Sequence, residues 1–132
     1  MREYVELVPE AGQAETLEFL EGERREFSRE MMALAMAQKG TDFQHAVWQA
    51  IAEIPFGETA SYKVIAAKIG RPNAVRAVGT ACGKNAWPIV IPCHRVVASQ
   101  GLGGYAFGLK MKQELLDFEA AVSFEGLSSR AR

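Results

Sequence analysis

Three short apolar runs with helical spacing, separated by two proline-glycine interruptions, constrain this chain more than any other feature. Thr41 followed by Gln44 is a capping-box pattern, and Phe43, Val47, Ala50, Ile51 and Ile54 then recur at i, i+4, i+7, i+8 and i+11. Pro55-Phe56-Gly57 ends that helix. Ser61 is placed to cap the next, whose inward face is Tyr62, Ile65, Ala66 and Ile69. Gly70 stops it, and Pro72 suits the first turn of a third helix that buries Val75, Val78, Gly79 and Cys82. Two short helices joined by Gly70-Arg71-Pro72 predict a helix-turn-helix.

The flanking segments are less regular. Glu15 to Gln38 is rich in helix formers and predicts one or two helices, broken near Gly22 or Phe27. Trp87-Pro88-Ile89-Val90-Ile91-Pro92 reads as a brief strand or extended segment, because each proline removes a ladder donor. A glycine-rich loop, 101–108, follows, then a last helix from about Leu109 with Met111, Leu115, Phe118 and Val122 on one face, and a frayed tail after Ser123. The expected division is 1–40 as a helical extension, 41–122 as the main domain and 123–132 as the tail. The expected class is mainly α: a helix-turn-helix, winged-helix-like bundle with a short β segment carrying Cys93.

With 132 residues, 48% of them hydrophobic and 23% charged, the composition is that of one globular domain able to bury its own core. Disordered and fibrous classes are excluded, no apolar run reaches the roughly 18–20 residues of a membrane span, and the N-terminus lacks a secretory layout. The only two cysteines, Cys82 and Cys93, form no CxxC pair and are expected as thiols in a reducing compartment, cytoplasmic or nuclear.

A formal net charge of −1 conceals a strong segregation. Residues 1–58 hold 12 acidic and 5 basic side chains, whereas 59–113 hold none acidic and 8 basic. A local positive field of that kind attracts phosphates, although segregation also arises on an ordinary solvated face. Within this stretch the third helix is small-sided, with Ala74, Ala77, Gly79, Thr80 and Ala81 around Arg76. Such a helix lies close to another backbone: either a DNA groove, with Arg76 reaching in, or its own core, with Arg76 solvated.

Pro92-Cys93-His94-Arg95 carries the chemistry. A thiol is a good nucleophile only as thiolate, a form favoured by neighbouring basic or cationic groups, and Cys93 adjoins His94 and Arg95. A nucleophile also needs a base and the base an orienting group, for which Glu119 on the final helix is a candidate. A bare Cys-His dipeptide is more often an inert buried cysteine beside a structural histidine. Cys82, on an apolar face, reads as inert.

The company of Cys93 alters that balance. Gly79-Thr80-Ala81-Cys82-Gly83-Lys84-Asn85 through Ile91-Pro92-Cys93-His94-Arg95-Val96-Val97, with Gly57-Glu58-Thr59-Ala60-Ser61-Tyr62 and Arg76-Ala77-Val78-Gly79, resembles the O6-alkylguanine-DNA alkyltransferases from about Thr41 to Ala120. The resemblance implies that Cys93 takes the alkyl group from O6 of an alkylated guanine, or from O4 of an alkylated thymine, in one irreversible turnover, with no cofactor and no metal. It assigns proton removal through a water to His94, orientation of His94 to Glu119, and nucleotide rotation and protonation of the departing base to Tyr62. Arg76 fills the gap left in the stack, with Ala77, Gly79, Thr80 and Arg95 at the DNA. Asn85 ties the recognition helix to the active-site segment, and Val96, Tyr105 and Ala106 form the base pocket. The implied partner is double-stranded DNA containing O6-alkylguanine, bound by a monomer with no membrane or obligate protein partner.

Three departures stand out. Only about 40 residues precede Thr41, of which Leu17 to Phe27 resembles the end of the family's N-terminal domain. His45 and His94 are the only histidines, too few with two cysteines for a zinc site. Val75 is bulkier than the small residue usual beside the arginine. Three other readings compete. An alkyltransferase-like damage sensor lacks the acceptor thiol that this chain has. A helix-turn-helix regulator leaves Pro92 to Arg95 and Asn85 unexplained. A thiol hydrolase needs an oxyanion motif that the sequence does not show.

Overall fold

In the computed structural model, which describes residues 1–130 with side chains to Glu125, the capping box forms as the sequence predicts. The Thr41 hydroxyl accepts from the Gln44 amide at 3.1 Å, and the Gln44 side chain accepts from the Thr41 amide at 2.9 Å. Helix α3 follows over Asp42–Ala52; α1 and α2 precede it at Gln13–Leu20 and Arg29–Met36. Ser61 caps α4, Tyr62–Lys68, through the Val64 amide at 3.1 Å, and α5 spans Val75–Gly83. Helices α4 and α5 form the expected helix-turn-helix, with α3 packed on α5. Val47, Trp48, Ile51, Ile65, Ala66, Val78 and Ala81 are buried together between them. The Trp48 indole N–H donates to the Ala81 carbonyl at 2.9 Å, so the largest core side chain also satisfies its polar atom.

The third helix differs from the expected one at its start. A turn closed by the Ala74 amide on the Arg71 carbonyl holds Pro72, so the helix begins only at Val75. Val75 in that first turn is 38% exposed instead of buried, and Val78 and Ala81 carry the inward face.

The segment Trp87–Pro92 is not a strand. The Val90 amide bonds to Pro88, Ile91 to Trp87 and Cys93 to Ile91, all 3.0 Å or less, and the chain folds into successive tight turns. Ile89 adopts φ 72°, a left-handed conformation that costs a β-branched residue about 1–3 kcal/mol. Burial of its side chain, about 1.5–3 kcal/mol, offsets this. Cys93 therefore opens a 3-10 turn, Cys93–Arg95, and the β segment comes after it. Strand β2, Val96–Val97, pairs in parallel with β1, Ala60–Ser61, which joins the cysteine turn to the start of the helix-turn-helix.

The N-terminal residues share cores with the rest. Phe19 is fully buried, its ring 5.5 Å from Phe27, 5.6 Å from Phe56 and 6.0 Å from Phe118. It sits in a second cluster with Leu20, Ile89, Met111 and Leu115. The break between α1 and α2 lies at 21–28, where Glu15 accepts from the Ser28 amide at 2.8 Å and hydroxyl at 2.6 Å. Helix α6, Leu109–Arg130, runs through the position where a tail was expected to begin. Residues 131–132 of that tail lie outside the described residues.

Candidate functional site

A cavity of about 330 Å³ opens between α5 and the glycine-rich loop, with Cys93 in its wall. Tyr62, Val75 and Gly79 bound it on the helix-turn-helix side, and Gly104, Tyr105 and Ala106 on the other. Its size falls at the lower end of small-molecule sites, roughly 300–1,000 Å³. The glycine loop closes against Tyr62: Gly103 has φ 76°, and a Cβ there would lie 2.8 Å from the tyrosine ring. The Tyr62 hydroxyl donates to the Gly104 carbonyl at 3.2 Å. Burial raises the Tyr62 and Tyr105 hydroxyls above their ordinary pKa, so both are protonated at neutral pH. The Tyr105 hydroxyl is buried without a hydrogen-bond partner among the described residues.

Asn85 fixes Cys93 from the helix side. Its side-chain N–H2 reaches Cys93 Sγ at 3.4 Å and the Ile91 carbonyl at 3.1 Å, while its Oδ1 accepts from the Trp87 amide at 3.0 Å. The end of α5 and the turns leading to the cysteine are thereby locked together.

Behind Cys93 lies a buried charge array. His94 Nε2 is 2.5 Å from Glu119 Oε2, and Arg95 donates to both Glu119 oxygens at 2.8 and 3.0 Å. The Gly57 amide supplies a further donor to Oε1 at 2.9 Å. All three side chains are buried, Glu119 to 1% exposure. Burial by itself would raise the Glu119 carboxyl, but the hydrogen bonds and charges of His94 and Arg95 outweigh it and bring its pKa down to about 2. Burial lowers His94, so its ring is neutral at pH 7 despite the carboxylate. His94 Nδ1 is buried and has no partner among the described residues.

This array makes the fold acid-sensitive. The unfolded Glu119 takes a proton near 4.5 and the folded one near 2, so its stabilisation is complete above about 4.5 and lost as pH falls through 2. Unfolded His94 takes its proton near 6.5, the folded ring only below that, so acidification below 6.5 also favours unfolding. Urea midpoints are expected to fall progressively below pH 6.5, with about 3 kcal/mol lost to Glu119 alone by pH 2. A midpoint unchanged from pH 7 to 3 contradicts this.

Several expected placements are corrected. Arg95 does not face outward: it is 6% exposed and directed at Glu119 and, at 2.8 Å, at the Ile54 carbonyl. Nor do neighbouring cations hold Cys93 as a thiolate in the resting state. A hydrogen bond to Cys82, then burial, pushes the Cys93 thiol well above its ordinary value. Cys82 is not fully buried in the core; it is half-buried and lines the same cavity.

Arg76, Ala77 and Thr80 are exposed along the outer face of α5, and Gly79 turns toward the cavity. Val96 is fully buried, and its carbonyl accepts from Lys112 Nζ at 2.6 Å. Lys112 escaped the sequence reading. It is completely buried, also donates to the Gly104 carbonyl at 2.8 Å, and lies 5.7 Å from the Tyr62 ring centroid. Its spacing of seven residues from Glu119 places both on one face of α6, the signal that identifies it. Of the eight cations in the acid-free stretch, Arg95 and Lys112 are buried and Lys68 and Lys110 are paired with Glu53 and Glu114. Lys63, Arg71, Arg76 and Lys84 are exposed.

Fold and site together define a helix-turn-helix protein with a buried cysteine in a cavity lined by its second helix, followed by a buried histidine paired with a glutamate. Residues 42–121 match the family model described as 6-O-methylguanine DNA methyltransferase, DNA binding domain, and the chain belongs to that family. A methylated-DNA–protein-cysteine methyltransferase of Methanosarcina barkeri is 55% identical over 91 residues, 68% of this chain and 58% of that protein. The inducible methylated-DNA–protein-cysteine methyltransferase of Bacillus subtilis is 47% identical over 112 residues, 84% of this chain and 60% of that protein. The Mycobacterium tuberculosis OGT in complex with DNA superposes with a TM-score of 0.73 at 42% identity, covering 85% of this chain and 68% of that one. The chain thus spans about three fifths of the length of these two curated relatives. No described helix is long and apolar enough to cross a membrane.

Proposed function

We propose that this protein repairs DNA directly, by moving the alkyl group of O6-alkylguanine in duplex DNA onto Cys93 in a single turnover. The observation that carries the reading is Cys93 in the wall of a cavity beside the exposed Arg76 face of α5, backed by neutral His94 and ionised Glu119. O6 of guanine lies inside the duplex, so the nucleotide must leave the stack, at a cost of a few kcal/mol. Arg76, exposed on α5, occupies the gap in this reading, while the exposed Lys63, Arg71 and Lys84 supply phosphate contacts. The small side chains Ala77 and Gly79 let α5 approach the minor groove.

In the cavity the Cys93 proton passes through a water to His94 Nδ1, and Glu119 stabilises the cation that forms. The thiolate attacks the alkyl carbon as the C–O6 bond breaks, and the electron pair leaves with the purine. Tyr62, protonated at neutral pH, donates to the base as charge develops. The product thioether has no leaving group of comparable quality, so the protein is consumed. Lys112 acts as a positioning residue by tying the Gly104 loop to β2 over the base.

With duplex DNA in excess, repair is expected to stop at one lesion per chain. Arg76→Ala is expected to slow the duplex reaction about ten- to hundredfold, the rate equivalent of part of the unstacking cost, and leave reaction with free O6-benzylguanine within about twofold. Multiple turnovers refute the transfer mechanism, and equal slowing on both substrates removes Arg76 from nucleotide extrusion.

A further inference from the structure

Cys82 and Cys93 come from different elements, the end of α5 and the 3-10 turn, yet both line the wall of one cavity. Asn85 fixes this proximity from both sides. Its backbone amide donates to the Cys82 carbonyl at 3.3 Å and its side chain to Cys93 Sγ at 3.4 Å. Both cysteines are free thiols. The transfer mechanism uses one sulfur and leaves the other unexplained.

We propose that Cys82 and Cys93 form a redox-active dithiol that closes to a reversible disulfide on exposure to a peroxide, masking the acceptor sulfur. Its regulatory meaning rests on Cys93 being the acceptor; the disulfide chemistry does not. Cys82 is the more accessible sulfur, since Cys93 is only 4% exposed. The hydrogen bond from Cys93, and the charge of Lys112 against the cost of burial, hold the Cys82 thiol below its ordinary value, which suits it for the first step. The Cys82 thiolate attacks hydrogen peroxide, giving a sulfenic acid and, after protonation, one water. Cys93 Sγ then attacks the Cys82 sulfur and displaces the hydroxyl, which departs as a second water with the Cys93 proton. Two thiols and one peroxide become one disulfide and two waters, the sulfurs supplying both electrons. A small-molecule dithiol returns the pair to thiols by exchange. The bond diverts peroxide damage at Cys93 from the irreversible sulfinic and sulfonic acids to a recoverable state.

The test uses the full reduced chain, hydrogen peroxide and tryptic mapping without reduction. Cleavage after Lys84 separates Cys82 from Cys93, so the bond appears as the peptide Ala77–Lys84 joined to Asn85–Arg95. The intact chain is expected to lose the mass of two hydrogens, methyl uptake from O6-methylguanine duplex to fall at least about tenfold, and dithiothreitol to restore both. In Cys82→Ser the same treatment is expected to carry Cys93 to the sulfinic or sulfonic acid, with uptake that dithiothreitol does not recover. Oxygen adducts on the wild-type cysteines without the joined peptide, or only disulfides between chains, overturn the proposal. A reduced chain that takes up no methyl but yields the joined peptide overturns the acceptor reading and leaves the dithiol standing.

Discussion

Cys93→Ser is expected to abolish alkyl uptake, slowing loss of O6-methylguanine from duplex DNA by more than about a thousandfold, while affinity for the duplex stays within about twofold. The serine hydroxyl is far weaker as a nucleophile because so little of it ionises, and neutral His94 is too weak a base to change that. The fold should tolerate the exchange. Asn85 still has an oxygen to which it donates, and serine is smaller than cysteine in a wall that already borders a cavity. Lesion loss timed by chromatography and binding measured by fluorescence anisotropy separate the two effects. Repair at an undiminished rate in the serine variant removes the sulfur from the mechanism.

The second large effect lies behind the sulfur. Glu119→Gln is expected to cost about 3–5 kcal/mol, because it leaves the buried Arg95 guanidinium without its counter-charge. The same change removes the group that steadies protonated His94, so transfer should slow even in molecules that remain folded. Combining Arg95→Met with Glu119→Leu is expected to recover much of the stability, since an apolar pair has no charge to desolvate. It should recover none of the activity. Thermal or urea unfolding followed by circular dichroism reads the first effect and lesion loss the second. A Glu119→Gln chain destabilised by less than about 1 kcal/mol contradicts the buried-pair account.

What could be read directly from the residues was local. The Thr41–Gln44 box, the Ser61 cap and the stripes of α3 and α4 arise from contacts within a turn or two, which spacing encodes. The start of α5 was misplaced because proline at a turn and proline in a first helical turn look alike in sequence. Trp87–Pro92 had a strand's apolar content, but nothing in its composition reports the left-handed φ of Ile89. Arg95 was expected at the DNA, but it is buried. Its partners, Glu119 and Ile54, lie 24 and 41 positions away and only the tertiary fold brings them near. Cys82 and Lys112 were hidden for the same reason: an apolar face does not report that Cys82 lines the cavity, nor a basic run that Lys112 turns inward to the Val96 and Gly104 carbonyls. The Cys93, His94 and Glu119 grouping was a candidate on chemical grounds that motif resemblance strengthened, and the geometry pairs His94 with Glu119 in the turn that follows Cys93.

The central claim is that one sulfur, that of Cys93, receives the alkyl group from a nucleotide turned out of the duplex. Peptide mapping by mass spectrometry after single exposure to duplex DNA carrying O6-methylguanine tests it most directly. The account predicts one added methyl per chain, confined to Asn85–Arg95 and located on Cys93. A methyl on Cys82, on any other residue, or on none while the lesion disappears contradicts it.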